Sequence, residues 1–294
     1  MENHLTKRQS RLLTLPAILI VALVTQAPIL FTLGLSFVHW IIVRPDLGIT
    51  FYGLNNYVEI FTSGDFYGVV ANTVLITVLS LAFCTLLGIL FGLMLNRHFP
   101  GINIVRTLII SPFFVMDAVA GIIWRTLMLN SSFGFNGYFA QLLHVKPIDF
   151  FGVYSLLTII LLIVWQWTPF FVLIILAGFQ SISEEILDSA KVDGTGWFRE
   201  LISIRLPAIA NHIEVAILLG LIFILKVFGL IYVTTRGGPG YSSANLPYYD
   251  YKVAFLGWDV GHSAAIAVVT VIITLVAIMS LFRWFRRRSK EAAA

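Results

Sequence analysis

Four side chains that can bind a ligand lie within long apolar runs of the sequence. Asp117, Gln166 and Lys226 are polar or charged, and Trp167 follows the glutamine directly. A polar group inside an apolar segment is costly to bury and therefore informative. Carboxylates and amides bond hydroxyl groups, and aromatic rings pack against C–H faces. These four residues are candidates to line a path for a neutral, hydroxyl-rich ligand.

Each of these candidates also has a simpler interpretation. Lys226 can extend its amine outward to the membrane interface, and the tryptophans Trp165 and Trp167 can serve helix packing. Asp117 lies near the middle of the third apolar run, five residues after Pro112, which is expected to kink it, and has the weakest structural explanation. If Asp117 and Lys226 face one cavity, they are expected to pair when it is empty and to separate around a ligand.

The sequence contains no signature of catalysis or of metal binding. A P-loop needs a lysine after glycine, and none of the six lysines follows one. The six histidines lie in different segments without His-x-x-x-His spacing, so a metal site is not indicated. A Ser-His-Asp site stays open, but nothing points to it. The single cysteine, Cys84, lies in an apolar run and is assigned a structural role.

The composition indicates an integral membrane protein. Of 294 residues, 59% are hydrophobic and 12% charged, with a mean hydropathy of +0.91. Six apolar segments are long enough to cross a bilayer as helices, and their continuous rather than alternating character disfavours a barrel. The predicted spans are 12–40, 69–95, 107–129, 153–179, 208–233 and 263–282. Pro16 and Pro28 predict that the first span is kinked or divided in two.

The distribution of basic residues predicts that both termini are cytoplasmic. With the N-terminus inside, 13 of the 19 Lys and Arg residues fall on the cytoplasmic face and 4 on the other. This asymmetry also accounts for the formal net charge of +4, so no nucleic-acid partner is indicated. Gly88 and Gly92 have the small-xxx-small spacing of close helix packing, although chance placement explains it as well.

One polar segment stands out between the fourth and fifth spans. Ser181 and Glu184 fit a capping box that starts a short helix, and Gly194 allows a sharp bend after it. A second short helix through Trp197 is expected to lead at Pro207 into the next span. Such an amphipathic unit either lies on the membrane surface without a partner or docks into a partner's groove.

The spacing within this segment resembles the "EAA" loop of permease subunits of bacterial ATP-binding-cassette importers. Asp188 and Ser189 replace the Glu and Ala that are usual in that family, which puts the docking contacts in question. In the family this loop is the coupling helix that seats in a cleft of the ATPase. The residues that carry the resemblance are Asp188, Ser189, Ala190, Gly194, Ile204, Leu206 and Pro207.

Further stretches extend the resemblance along the chain. Residues 28–37 and 165–170 are similar to the carbohydrate branch, and residues 235–255 resemble the outer loop of its first-type permease. The "ANLPYYDY" version of that loop looks most like polyol transporters. The resemblance therefore implies an all-α, six-span type I importer permease in the bacterial cytoplasmic (inner) membrane.

The same resemblance implies the partners. They are a second, non-identical permease, two copies of a cytoplasmic ATPase that holds ATP and Mg²⁺, an extracytoplasmic solute-binding protein and membrane lipid. This chain is then a transport subunit without a cofactor of its own. It is expected to form half of a carbohydrate pathway. Binding of ATP is expected to close the two ATPase subunits, and this movement switches the two permease subunits between inward-facing and outward-facing states.

The chain is predicted to divide into residues 1–68, with the first span and an outer loop, and a permease core at 69–290 with the coupling loop at 181–207. The alternative is a self-contained secondary transporter, which would need internal repeats. No repeat relates the first three spans to the last three. An intramembrane enzyme would need clustered catalytic residues, which are missing.

Overall fold

The computed structural model describes residues 7–291, and this range is mainly helical. Its fourteen α-helices are α1 (Lys7–Leu35), α2 (Asn55–Thr62), α3 (Gly64–Leu95), α4 (Ile102–Ile110), α5 (Asp117–Ile122), α6 (Phe135–Leu142), α7 (Ser155–Gln180), α8 (Glu184–Val192), α9 (Trp197–Glu200), α10 (Leu206–Ala208), α11 (Ala210–Ile224), α12 (Gly229–Val233), α13 (Leu246–Tyr251) and α14 (Val260–Glu291). Short 3₁₀ helices occupy Pro45–Leu47 and Ser111–Phe114. Three π-helical segments occupy Ile123–Met128, Leu201–Arg205 and Lys252–Leu256.

Four helices are long and apolar enough to cross a membrane as single pieces. They are Thr14–Leu35 within α1, the whole of α3, the whole of α7, and Val260–Arg287 within α14. Two further candidate spans are bent pairs, Ile102–Phe114 with Asp117–Met128 at 99° and Trp197–Ala208 with Ala210–Ile224 at 65°. When each bent pair is counted as one span, the total reaches the predicted six.

The first span is a single helix. We predicted a kink or a division at its prolines; α1 is not divided, since it continues through both Pro16 and Pro28, and the kink stays a prediction. Apolar helices tolerate proline when the freed carbonyl groups are satisfied locally. Of the two bent pairs described above, the first lies in the third predicted span, and the second bends between Ala208 and Ala210, at the start of the fifth.

The described chain divides into two compact units. The first contains the described part of Met1–Ser63 together with Asp250–Ile272, and includes strands β1 (Val38–His39) and β2 (Thr50–Phe51), which pair antiparallel. Buried Asn56 donates from Nδ2 to the carbonyls of Ser36 and Val38, both at 2.9 Å. One side-chain amide thus holds the chain between α1 and the hairpin.

The second unit contains Gly64–Tyr249 together with the described residues from Ile273 onward, and its core is the α3–α7 pair. A Cβ added at Gly88 would lie 2.8 Å from Cβ of Phe171, and one at Gly92 would lie 3.3 Å from Cγ2 of Ile175. The two glycines therefore allow the close approach that their spacing predicts. Phe171, Ile175 and Phe179 are buried where they meet this face.

Candidate functional site

The third span is broken in its middle, just before the candidate residue Asp117. The 3₁₀ helix at Ser111–Phe114 ends the first piece, with Pro112 in its first turn. Val115 and Met116 are extended, with ψ of 125° and 140°, and α5 begins at Asp117. An acidic residue in the first turn interacts favourably with the helix dipole. The break therefore places a carboxylate where the backbone leaves its helical hydrogen bonds.

Gln166 on α7 bridges this break. Its Nε2 donates to the Val115 carbonyl at 2.7 Å and to Asp117 Oδ1 at 3.0 Å, and the residue is only 4% exposed. A backbone carbonyl freed within an apolar span needs such a donor. Since both amide hydrogens are used, the Gln166 carbonyl oxygen remains as an acceptor. The structure thus brings together two of the predicted path residues through a hydrogen bond.

A cavity of about 430 Å³ lies at the break. Its lining includes Asp117, Gln166 and Trp167, together with the residues of the broken backbone from Phe113 to Met116. Nε1 of Trp167 is buried and has no hydrogen-bond partner within residues 7–291. A buried donor without a partner is costly unless a ligand or water satisfies it. The cavity is therefore lined by the carboxylate of Asp117, the amide of Gln166 and the indole of Trp167, whose N–H has no partner among the described residues.

An aromatic cluster forms around the Trp167 side of the cavity. Phe113 meets Trp167 edge to face, with centroids 5.6 Å apart, and stacks on Phe170 at 5.7 Å. Trp167 also stacks on Phe223 of α11 at 5.3 Å. Such aromatic faces suit the C–H surface of a ring or chain that carries hydroxyl groups. Phe113 was not among the predicted residues, although its position directly after Pro112 in "SPFF" could have indicated it.

The fourth candidate, Lys226, lies elsewhere. It falls in a second break, between the end of α11 at Ile224 and the start of α12 at Gly229, and its side chain is exposed on the single chain. It does not line the cavity at Asp117, and no ion pair joins Lys226 to Asp117 among the described residues. The structure therefore does not bring the two charges together, and a role for Lys226 in the path stays a prediction.

The second break is closed by a residue that sequence reasoning missed. Asn245, 1% exposed, donates from Nδ2 to the Val227 carbonyl at 2.6 Å. Its Oδ1 accepts from the Tyr248 backbone N–H at 3.1 Å, which caps α13. The sequence places Asn245 in an outer loop, and no local signal shows that its amide reaches a carbonyl 18 residues earlier.

The predicted coupling segment forms a helix, a bend and a second helix. Asp188, Ser189 and Ala190 lie on α8, where Ala190 is buried and the Ser189 hydroxyl donates to the Glu185 carbonyl at 2.8 Å. Gly194 has φ of +70°, the left-handed conformation expected of the bend. The backbone N–H of Thr195 donates to the Ala190 carbonyl across it.

Two details of this segment differ from the prediction. Ser181 does not cap α8: it lies at the end of α7, where its hydroxyl donates to the Gly178 carbonyl at 2.8 Å, and α8 begins at Glu184. The second helix also continues through the predicted end at Leu206 and Pro207, as α9, the π-helical segment and α10. Ser181 was assigned to the start of α8, although it belongs to the end of α7. The two positions are easily confused in sequence because α7 ends at Gln180 and α8 begins only four residues later, at Glu184.

An ion pair that the sequence did not predict fixes the second helix. The Arg205 guanidinium contacts Oε1 of Glu200 through Nε at 2.6 Å and Nη2 at 2.5 Å, with both side chains largely buried. The five-residue spacing spans the π-helical segment that also contains Ile204, whereas pairs three or four apart are expected in an α-helix. This unusual spacing explains why the pair was missed.

Apolar side chains project from both arms of the bend. Val192 is 87% exposed and Phe198 is 67% exposed, and Ile186 and Ile202 are exposed as well. A run of exposed large apolar residues on a segment that also carries charges marks an interaction surface. The geometry agrees with a docking element more closely than with a helix that only covers its own chain.

Spans that are broken beside a ligand site at membrane depth occur in solute transporters. The chain belongs to the family of binding-protein-dependent transport system inner membrane components, whose model matches residues 84–291. The predicted resemblance to importer permeases and the predicted location in the inner membrane are thereby confirmed. The chain is a transport component, and this family is contrary to the alternative of a self-contained secondary transporter.

Several relatives match most of the chain. It is 32% identical over 278 residues to a probable ABC transporter permease protein, y4oQ, of Sinorhizobium fredii, covering 94% of this chain and 90% of the relative. It is 31% identical over 282 residues to the trehalose/maltose transport system permease protein MalF of Thermococcus litoralis, covering 94% and 95%. It is 30% identical to the sulfoquinovosyl glycerol transport system permease protein SmoG of Agrobacterium fabrum, covering 88% and 84%.

Solved structures share the fold. A chain of a bacterial alginate ABC transporter, crystallised with a periplasmic protein bound to an alginate pentasaccharide, superposes with a TM-score of 0.79. The match covers 97% of this chain and 96% of that one at 23% identity. The importer permease fold that the sequence predicts is therefore confirmed, with the difference that the described residues are mainly helical and also contain the short β1–β2 hairpin.

Proposed function

We propose that this chain is one of two non-identical permease subunits of an ATP-binding-cassette importer for a carbohydrate, either a sugar or a polyol. Support comes from relatives named for trehalose, maltose and sulfoquinovosyl glycerol transport, which match at least 88% of the chain. A solute-binding protein would deliver the ligand, and two copies of a separate ATPase would bind ATP and Mg²⁺. This chain would form half of the pathway.

The observation that carries the proposal is the cavity at the broken third span. Asp117 supplies a carboxylate, Gln166 an amide oxygen and Trp167 an N–H donor, beside the ring of Phe113. A polyhydroxy ligand donates hydroxyl protons to the two oxygens, accepts from the indole and lays its C–H face on the aromatic ring. Charge complementarity is not required, so a neutral solute fits this set of groups.

Transport by the reconstituted complex tests this assignment. Asp117→Asn keeps the size of the side chain and removes its charge, so it weakens the hydrogen bond to a ligand hydroxyl. We expect uptake of the solute at low concentration to fall about fivefold to tenfold. Asp65→Asn, an exposed carboxylate in the first turn of α3, is the matched control and should transport normally.

The readout is radiolabelled uptake of trehalose, maltose and linear polyols into vesicles, with binding-protein-stimulated ATPase activity measured in parallel. A fall in uptake at unchanged basal ATPase activity separates a ligand effect from misassembly. If the Asp117→Asn and Asp65→Asn variants take up every solute equally well, the cavity at Asp117 is not part of the transport pathway.

The bent segment is the proposed coupling element. Its exposed apolar residues Val192 and Phe198 flank Gly194, so the bend sets the angle between the two docking arms. Movement of the ATPase would reach the membrane part of the chain through α10, which leads into α11 after one residue. The segment thus has a surface for a partner and a direct link to a span.

A matched pair of glycines tests the coupling element. Gly194→Ser places a side chain at φ of +70°, which costs about 1 kcal/mol or more, whereas Gly196→Ser occupies an extended N-cap that serine favours. We expect the first variant to bind the ATPase about fivefold less tightly and the second to bind normally. Gly194→Asn should restore binding, because asparagine tolerates the left-handed conformation.

Co-purification of the ATPase with each permease variant provides the measurement. If the Gly194 and Gly196 serine variants retain equal amounts of ATPase, the bend does not shape a docking surface.

We also propose that both termini and the coupling segment face the cytoplasm, on the basis of the 13-to-4 distribution of basic residues. A reporter that is active only outside the cytoplasm should work after Lys146 and fail after Arg97 or Arg199. Activity after Arg199 would place the coupling segment on the wrong face and contradict ATPase docking.

A further inference from the structure

A second, larger cavity lies in the same unit as the cavity at Asp117. Its volume is about 930 Å³, and it opens where α3 and α7 end and where α4 and α8 begin. Since apolar spans end at the boundary of the hydrocarbon, these four helix ends place the cavity at the depth of lipid headgroups. The proposed orientation makes this the cytoplasmic face. Neither the transport assignment nor the coupling assignment uses this cavity.

The charged part of the wall is predominantly basic. Arg97, Arg106 and Arg205 line the cavity with His98, and Glu184 is the one carboxylate among the lining residues. Arg205 is already paired with Glu200, which leaves Arg97 and Arg106 as the arginines available to a ligand. An anion is the ligand that this balance of charge favours.

Arg106 is held in place but not satisfied. Its Nη2 donates to the Leu95 carbonyl at 3.5 Å, while its Nε is buried and has no hydrogen-bond partner within the described part of the chain. The nine-residue helix α4 begins beside it after Gly101, whose φ is +83° and which has no side chain to cap the helix. A buried guanidinium donor and an uncapped positive helix end therefore contribute to the same wall.

The remaining wall is apolar and reaches the outside of the chain. Leu90 and Met94 on α3 line the cavity and are each 50% exposed, and Phe99 lines it beside the basic turn. Because the exposed part of a span contacts lipid tails, this side continues from the basic groups toward the hydrocarbon. A ligand that fits both parts has an anionic head and an apolar tail.

We propose that this cavity binds an anionic membrane phospholipid, with its phosphate between Arg97 and Arg106 and its acyl chains along Leu90 and Met94. Basic pockets between spans on the cytoplasmic side are known to suit such headgroups. A soluble phosphate shares the headgroup chemistry but leaves the apolar wall uncovered. The proposal goes beyond the transport function and is independent of the solute carried.

A lipid bound in this cavity would also contact the proposed coupling segment. Leu187 on α8 and Trp197 on α9 also line the cavity, so both arms of the bend at Gly194 contribute to its wall. A bound lipid would contact the end of α3 and both docking arms at once. It would therefore favour one angle between them.

Native mass spectrometry of the purified full chain in detergent tests the lipid site. The probes are phosphatidylglycerol, phosphatidylcholine and inorganic phosphate. Wild type should bind one phosphatidylglycerol more tightly than phosphatidylcholine. Arg97→Gln with Arg106→Gln should weaken phosphatidylglycerol binding about 25-fold, from about fivefold per arginine. Arg199→Gln with Arg283→Gln, two exposed arginines outside the cavity, makes the same charge change and should leave binding intact.

Two milder variants show whether a loss of lipid binding comes from the lost charges or from misfolding of the double glutamine variant. Arg97→Gln alone, at an exposed position, should weaken binding about fivefold, and Arg97→Lys with Arg106→Lys should retain most of it. Equal phosphatidylglycerol affinity in wild type and the cavity variants, or equal losses in the cavity and control variants, would overturn the proposal. Displacement of the lipid by millimolar inorganic phosphate would assign the site to a soluble anion and overturn the lipid assignment.

Discussion

At two breaks between helices of the second unit, a side-chain amide donates a hydrogen bond to a backbone carbonyl, but the two breaks differ in the polar groups around them. At Val115, the freed carbonyl accepts from Gln166, and at Val227 it accepts from Asn245. The first break opens on a cavity of about 430 Å³ and leaves the Trp167 N–H without a partner among residues 7–291. At the second, Val227 and Asn245 are both buried, and the nitrogen and the oxygen of the Asn245 amide each form a hydrogen bond within the protein.

This difference in unsatisfied groups distinguishes a candidate binding site at the first break from a purely structural connection at the second. A break in an apolar helix exposes backbone polar groups that must be satisfied, so a bridging amide by itself shows only that the protein is stable there. What distinguishes the break at Asp117 is the set of groups left over after the bridge is made. Substitutions at the two breaks should therefore affect different measurements.

The largest expected effect is on stability, at the second break. Asn245→Leu removes the donor to Val227 and the acceptor for the Tyr248 N–H, leaving two polar groups unsatisfied in a buried position. We expect the free energy of unfolding to fall by about 3 kcal/mol. The apparent unfolding temperature of the purified chain should drop by roughly 5–10 °C.

The matched control is Asn211→Leu, at an exposed position on α11. It should unfold within about 2 °C of wild type. If both leucine variants unfold at the same temperature, the Asn245 amide does not hold the second break together, and the contrast between the two regions is wrong.

The next effect is on ligand affinity, at the first break. Trp167 lines the cavity, and Trp167→Phe keeps an aromatic side chain while it removes the unpartnered indole N–H, so the hydrogen bond proposed from this donor to the ligand is lost. We expect the apparent affinity in uptake to weaken about fivefold, equivalent to about 1 kcal/mol, with the unfolding temperature nearly unchanged.

Trp165→Phe is the companion variant, because Trp165 packs against Trp124 with centroids 5.3 Å apart and does not line the cavity. Its uptake affinity should equal that of wild type. An equal loss in both tryptophan variants would indicate helix packing as the role of Trp167.

The smallest effect is expected at Lys226, which lies in the second break with an exposed side chain. Lys226→Met removes the charge and retains most of the apolar stem, so uptake should change less than about twofold. A fivefold or greater loss of uptake at unchanged ATPase binding would place Lys226 in the pathway and make the second break functional too.

The sequence was sufficient for features that depend on local pattern. Apolar length predicted the spans, the four-residue spacing of Gly88 and Gly92 suggested a close helix contact that the structure contains, and Gly194 was identified as a bend, where φ is +70°. Each of these follows from residues near one another in the chain. The polar candidates Asp117, Gln166 and Trp167 were found because they interrupt apolar runs, and they line one cavity.

What the sequence did not predict depends on distant partners. A kink at Pro112 was expected, but the extended backbone at Val115 also depends on Gln166, 51 residues further along the chain, which donates to the freed carbonyl. The buried position of Asn245 likewise depends on a carbonyl in another segment. Lys226 is charged and inside an apolar run, yet it lies outside the cavity, since the helix had already broken before it.

The π-helical segment Leu201–Arg205 affects how the chain responds to insertion or deletion of a residue. A π-turn accommodates one more residue than an α-turn, and here it lies between the Gly194 bend and α11. Because a π-turn and an α-turn each complete about one revolution, deleting a single residue from this segment would let the turn tighten to α-helical form with the docking arms still facing the same direction. The same deletion in a regular α-helical turn, which holds no extra residue, would rotate everything before it by about 100° about the helix axis. The π-helical segment can therefore lose one residue while the orientation of the coupling segment relative to α11 is kept.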